Sequence, residues 1–397
     1  MLKDPKTFLV PKLRFPEFRN EPPWVTRKLG ELFRQREETG RDDLRLLSLT
    51  DKEGIIPQEE SNRKNNASVD RSKYLRVARG DIVYNTMRMW EGRSALATLE
   101  GIVSPAYTVC EPCEETNSLF FAHYFKTSQL VAQFARYSQG LVKDTLNLKF
   151  EAFARILAPT PSPAEQQKIA ECLSTLDELI EAESRKLNAL KDHKKGLMQQ
   201  LFPREGETRP RLRFPEFQDA PEWESKTVDD LVDTITPPKK LLTSDYRPAG
   251  QFPVIDQSQD YICGWTDDEE AVIDDDLPVV VFGDHTCALK FVDRPFAQGA
   301  DGIKILKAKA DVRDDFLFYS LQANPVQQES YKRHFSTLRE RVVAFPDKDS
   351  GEQRRIAACV SSLDDLIAAQ SERLEALRAH KRGLMQQLFP NPSEFES

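Results

Sequence analysis

Residues 165–203 read EQQKIAECLSTLDELIEAESRKLNALKDHKKGLMQQLFP, and residues 352–390 read EQRRIAACVSSLDDLIAAQSERLEALRAHKRGLMQQLFP. These are one segment written twice, with roughly two thirds of the positions identical. A segment that recurs after each of two long dissimilar stretches is most simply explained by two half-molecules fused in tandem. A shorter echo accompanies it: Leu13-Arg14-Phe15-Pro16-Glu17-Phe18 returns as Leu212 to Phe217, each copy soon followed by a tryptophan, Trp24 or Trp223. The chain therefore reads as marker, domain, long helix, marker, domain, long helix.

The helix assignment rests on spacing. Apolar residues at Ile169, Leu173, Leu176, Ile180, Leu187, Leu190, Leu197 and Leu201 form one narrow stripe, as do Ile356, Val360, Leu363, Ile367, Leu374, Leu377, Leu384 and Leu388. Each stripe is broken at matched places, by Glu183 and Lys194 in one copy and by Gln370 and Lys381 in the other. Polar residues at a helical seam weaken it but fix register and partner. The two helices are thus expected to pair with each other, antiparallel or parallel, with Glu183, Leu187, Leu190, Lys194, Gln370, Leu374, Leu377 and Lys381 as interhelical or partner contacts. Each is about 35 residues, roughly 50 Å, and stops at Leu-Phe-Pro because proline cannot continue the helix.

The expected division is a first domain over 1–160, a helix over 161–203, a linker and second domain over 204–347, a helix over 348–390 and a polar tail over 391–397. Runs such as Gly80 to Tyr84, Gly101 to Val103, Ala106 to Val109 and Leu277 to Phe282 are apolar or β-branched and bounded by turn residues, which predicts strands. Residues 119–137 and 315–331 predict surface helices at matching places. The fold class is therefore α+β, with a mixed sheet and short helices in each of two domains of one plan.

Composition narrows the function. The net charge is −8, divided as +3 over residues 1–203 (31 basic, 28 acidic) and −11 over 204–397 (25 basic, 36 acidic). A surface for nucleic acid must neutralise phosphates, yet the acid is concentrated in Asp267 to Glu270, Asp274 to Asp276 and Asp311 to Asp315, runs expected in solvated loops. No stretch of about 18 apolar residues occurs and the start lacks a secretory pattern, so a cytoplasmic location away from membranes is expected. Six scattered cysteines do not make a disulfide scaffold. Cys110 and Cys113 lack the second ligand pair that a structural zinc needs, and no metal is expected.

Catalytic signatures are missing: the sequence holds no P-loop and no dinucleotide-binding glycine motif, and Pro346-Asp347 with Glu352 lacks the lysine of a metal nuclease. Binding chemistry remains. Asn85, Thr86, Arg88, Trp90 and Arg93 place amides, cations and an aromatic in one short loop, the mixture that reads base edges and phosphates. Lys143, Asn147 and Lys149 form a second polar stretch before the first long helix. In the second domain Lys332, Arg333, His334, Arg339 and Arg341 hold the corresponding place, and His285 and Thr286 occupy a polar turn able to face a ligand.

The pairing of Glu-Gln-x-x-Ile-Ala-x-Cys with Lys-x-Gly-Leu-Met-Gln-Gln-Leu-Phe-Pro, twice, after Leu-Arg-Phe-Pro-Glu-Phe, resembles the specificity subunit of type I restriction-modification systems. Gly80-Asp81-Ile82-Val83 with Gly101 to Tyr107, and Phe282 to Thr286 with Asp301 to Lys304, resemble variable domains of that family. The resemblance implies two target-recognition domains on an antiparallel helical spacer, reading a split, asymmetric sequence in double-stranded DNA. It further implies methyltransferase subunits, two per chain, docked on the helices, and restriction or translocase subunits on that complex. S-adenosylmethionine, ATP and magnesium would then belong to the partners and this chain would carry no catalytic residue. The competing reading is a pseudo-dimeric scaffold that assembles enzymes without reading DNA.

Overall fold

The structure, a computed structural model, describes residues 9–50, 53–61, 70–140, 142, 145–300, 302–329 and 332–390. The chain divides into two units, one formed by residues 1–182 and 373–397, the other by 183–372. The long helices, Pro163–Leu201 and Glu352–Leu388, each contribute one half to each unit.

In the first unit a four-stranded antiparallel sheet runs Phe33–Gln35, Tyr107–Pro112, Ile82–Asn85, Ser94–Leu96. Alternation along Ile82–Asn85 decides its two faces, because successive strand side chains point to opposite sides. Ile82 and Tyr84 enter a core crowded with Phe33, Phe120, Phe121, Phe125 and Phe153. Val83 joins Leu47, Leu49, Ile55 and Val109 on the other face. The pair Val25–Lys28 with Leu157–Thr160 closes the domain next to the long helix.

The second unit repeats this plan with other residues. Its main sheet runs Val232–Ile235, Ile303–Ala308, Val279–Gly283, Leu289–Val292, all antiparallel. Val280 and Phe282 face the helices, while Val279 and Val281 face a second core. A further sheet, Gly264–Thr266, Phe252–Ile255, Phe296–Gln298 and Val272–Ile273, contains the one parallel pairing among the described strands. The closing pair is Glu224–Thr227 with Val342–Phe345.

Two helix expectations need correction. Residues 119–137 form two helices, Ser118–Tyr124 and Ser128–Tyr137. At the break Thr127 is extended, its hydroxyl donates to Tyr124 O, and Lys126 Nζ donates to the carbonyls of Gly92 and Ser94, so side-chain bonds to backbone displace helical ones. The predicted helix 315–331 is Asp314–Ala323; Pro325 follows Asn324 and ends it.

Within each unit the halves of the two long helices run antiparallel, which removes the parallel alternative. In the second unit Glu183 meets Gln370 while Lys194 meets Asp364, so advance along one helix is retreat along the other. Gln370 donates to Glu183 Oε2 at 2.6 Å, and both side chains are buried. In the first unit Lys381 pairs with Asp177. Leu187 and Leu374 are buried in the seam, whereas Leu190 and Leu377 are half-buried.

The repeated residues at the helix starts bind each domain to its helix. Glu165 accepts two bonds from the Arg14 guanidinium, at 2.8 and 2.7 Å, and Arg14 also donates to the carbonyls of Glu21 and Pro22. Arg213 treats Glu352, Ala220 and Pro221 in the same way. Gln166 accepts the Asn117 N–H and donates to Pro161 O; Gln353 accepts the Arg313 N–H and donates to Pro346 O.

The lysine–aspartate pairs each take a third partner from the domain. Tyr319 donates to Asp364 Oδ2 at 3.0 Å, and the matching position in the first unit is His123, 3.8 Å from Asp177 and 3.3 Å from Ser174. Burial, with the Lys381 cation behind it and Asp177 opposing, lowers the His123 pKa to about 4.

Two predictions follow from these attachments. Glu352→Ala strands a buried guanidinium and should cost about 3–5 kcal/mol in denaturant unfolding, with Arg213→Met plus Glu352→Leu recovering much of it. His123 is held neutral when folded but takes a proton near pH 6.5 when unfolded. Stability is therefore fully present above about pH 6.5 and falls as pH drops toward 4; His123→Phe should flatten that slope in unfolding curves measured across this window.

Candidate nucleic-acid interface

The register places the candidate residues of the first unit at one end of its main sheet. Asn85 lies opposite Tyr107, and Gln35 opposite Cys110, so the end of Ile82–Asn85, the end of Phe33–Gln35 and the start of Tyr107–Pro112 converge. Thr86 is pinned there: its N–H and hydroxyl donate to Ala106 O, and its carbonyl accepts the Leu148 N–H. That last bond brings in Asn147 and Gln139, which exchange reciprocal backbone bonds. Gly140, at φ +148°, permits this pairing, since a Cβ there would lie 2.5 Å from Thr145 O.

The result is an open groove of about 420 Å³ lined by Gln35, Thr86, Tyr107, Asn147, Lys149 and Glu151 among others. Asn147 Oδ1 is enclosed without a hydrogen-bond partner among the described residues, and Lys149 is exposed. Just after Thr86 in sequence, Met89 is fully buried and anchors a single 3-10 turn that leaves Arg88 exposed and Arg93 half-buried. Glu91 lies 3.8 Å from Arg88 and 3.2 Å from Arg93, so one carboxylate shares both cations. Trp90 donates its indole N–H to Met87 O and stiffens the turn. Lys143 lies outside the described residues.

The same end of the second unit's sheet is built from the turn 284–288, the entry to Ile303–Ala308 and residues 328–329 and 332–335. Asp284, almost fully buried, accepts the N–H groups of His334 and Phe335 at 2.9 and 2.8 Å. Thr286 donates to Gln257 O at 2.6 Å, and His285 Nδ1 is 3.2 Å from Lys332 O. Arg333 projects from this frame with 81% of its side chain exposed, 4.0 Å from Asp284. Lys332 pairs with Glu329.

Three of the sequence-derived candidates are not presented at this end: one is enclosed within it and two stand elsewhere. His334 is 1% exposed, its Nε2 accepts the Glu329 N–H and its Nδ1 lies 3.1 Å from Asp284 O, so its ring is a strut of the loop with no face for a ligand. Arg339 is bidentate to Asp229, and Arg341 bonds Glu205 and Pro325 O. Both follow Phe335–Glu340 away from the turn to the opposite sheet end, where Arg341 O accepts the Val228 N–H just before Val232. Sequence proximity to His334 grouped them; the helix separates them.

Sequence reading missed two residues of this end. Lys304 holds its ammonium 5.3 Å from the Phe335 ring centroid and has no ion pair among the described residues. Gln257 sits under the turn 284–288. Lys304 was visible as a cation two residues after Gly302, but Gln257 lies in a loop with no local signal. Among the described residues no group of three His, Cys, Asp or Glu side chains is placed to hold a metal, and no helix is long and apolar enough to cross a membrane.

The family profile described as "Type I restriction modification DNA specificity domain" matches residues 21–192. The type I restriction enzyme MjaVIII specificity subunit of Methanocaldococcus jannaschii is 23% identical over 349 residues, covering 80% of this chain and 82% of that protein. Among solved structures, the S subunit of a type I restriction-modification system from M. genitalium gives a TM-score of 0.64 at 15% identity, covering 96% of this chain and 100% of that one. A chain from a type I R-M system, solved to explain complex assembly and conformational transition, gives 0.53 at 16% identity, covering 93% and 98%. Together with the doubled helix and the two domains of one plan, these likenesses make the chain similar to type I restriction-modification specificity subunits in sequence over residues 21–192 and in fold over nearly its whole length.

Proposed function

We propose that this chain reads a bipartite, asymmetric sequence in double-stranded DNA and brings methyltransferase and restriction subunits to it. The observation that carries this reading is the contrast between frame and contents. The helix starts, markers and main sheets repeat residue by residue or strand by strand. The sheet ends do not: one presents Arg88, Arg93, Asn147 and Lys149, the other His285, Thr286, Lys304 and Arg333. Proteins that read half-sites with two copies of one fold read a palindrome when the copies are equal and an asymmetric site when they differ.

The chain acts without chemistry of its own in this proposal. Cofactor binding, with S-adenosylmethionine, ATP and magnesium, falls to the partner subunits, two methyltransferases per chain and the restriction subunits that join them. Partner docking uses the exposed faces of the long helices. The negative net charge is consistent with this division, since partners would supply part of the phosphate neutralisation.

Mapping methylated adenines in cells carrying the chain and its partner subunits tests the reading: two modified half-sites at a fixed gap are expected, and methylation without a shared sequence would overturn it. Arg88→Ala with Arg93→Ala should weaken one half-site by about 1–3 kcal/mol per lost bidentate contact and leave the other half-site intact in footprints. Arg333→Ala should reduce the salt dependence of binding by about one phosphate equivalent, whereas Arg339→Ala should leave that slope unchanged.

A further inference from the structure

Gln257 occupies a position that its own loop does not explain. It follows the strand Phe252–Ile255, and its backbone carbonyl accepts the Thr286 hydroxyl at 2.6 Å while its side-chain Oε1 accepts the His285 N–H at 3.3 Å. Two glycines yield room to it. A Cβ at Gly283 would lie 3.1 Å from Gln257 Cβ, and one at Gly302, where φ is +106°, would lie 2.7 Å from Nε2 and 2.8 Å from Cδ. Any side chain at Gly302 would push the carboxamide aside. The amide is thereby held in one orientation, because exchanging its oxygen and nitrogen would set an N–H against the His285 N–H.

With Oε1 engaged, Nε2 is left with two hydrogens and no hydrogen bond among the described residues. The side chain is half-buried, and Nε2 is not among the enclosed unpartnered atoms of the protein. A donor that is fixed, accessible and unsatisfied, between Thr286 and the strand that carries Lys304, is prepared for an acceptor from outside the chain.

We infer that Gln257 is a specificity-determining residue of the second unit, donating from Nε2 to an acceptor on a base edge in the half-site that this unit reads. The inference rests on the DNA-reading function proposed above. The acceptors open to such a donor are purine N7, guanine O6 and thymine O4; an amide with both ends free would instead pair with adenine in bidentate fashion. Lys304 and Arg333 stand where phosphates could be met, and contacts of that kind position the protein without reading sequence.

The test uses the full chain assembled with its partner subunits, and scores binding to the mapped target against every single-base variant of it. Gln257→Glu keeps an oxygen for the His285 N–H but removes the donor; Gln257→Met removes both. Each variant should lose preference at one base position of one half-site by roughly tenfold, with the other half-site unchanged. Added charge alone would weaken all sequences equally, which the ratio between sites removes. If Gln257→Glu melts as the parent does and keeps the full preference at every position, Gln257 is a brace only and the inference is wrong. Should Gln257→Met fail to fold, Gln257→Glu decides alone. Failure of the underlying reading is separate, because the unaltered chain would then show no sequence preference in the same assay.

Discussion

A buried arginine–glutamate pair at the start of each long helix is the attachment on which the rest depends. Arg14 and Glu165, and again Arg213 and Glu352, are withdrawn from water, and desolvating both charges is repaid only because every side of the fork is used. Nε and Nη2 bond the carboxylate while Nη1 and Nη2 reach carbonyls just before the tryptophan, so the marker, the domain entry and the helix start meet at one point. The neighbouring glutamine ties the same helix start to the loop before the domain's first covering helix. Pairs of this kind are poor sources of net stability compared with apolar packing, but they tolerate little misplacement.

Such attachments leave the opposite end of each sheet free to vary. The domain contacts the long helix through Trp24, Phe120, Tyr124 and Phe389 in one unit and through Phe202, Trp223 and Phe316 in the other. Among the described residues the loops at the far sheet end add no ring to those aromatic contacts, although Met89 and Leu148 reach into the same core. The acidic runs of the second half also find a use within the fold: Asp267 pairs with Arg247, Asp268 with Lys239, Asp311 with Lys226 and Asp314 with Lys307. Their partners are cations that would otherwise count toward a basic face, so net charge was a poor guide to the charge of any one surface.

Much of the frame was legible because it is periodic or repeated. The seam residues Leu187 and Leu374, the breaks at Glu183 and Gln370 and the stop before Phe202 and Phe389 all follow from spacing and proline chemistry. The site was legible only in part. Thr86, Asn147 and Lys149 do converge, since a strand end and a polar stretch both announce themselves in sequence. His334 carried the composition expected of a contact residue and is instead enclosed by Asp284 and Glu329, because burial depends on what folds over a side chain. Arg339 and Arg341 were displaced by a six-residue helix that turns them toward Asp229 and Glu205.

By itself the sequence determined the duplicated frame, the helical pairing and the absence of recognisable catalytic motifs, because each of these is written in local spacing or in repetition. Tertiary structure decided which polar residues share a sheet end. That grouping joins residues such as Gln257, Thr286 and Lys304 across separate strands and turns, where hydrogen-bond geometry and the room left by glycines set the outcome and no local pattern reports it.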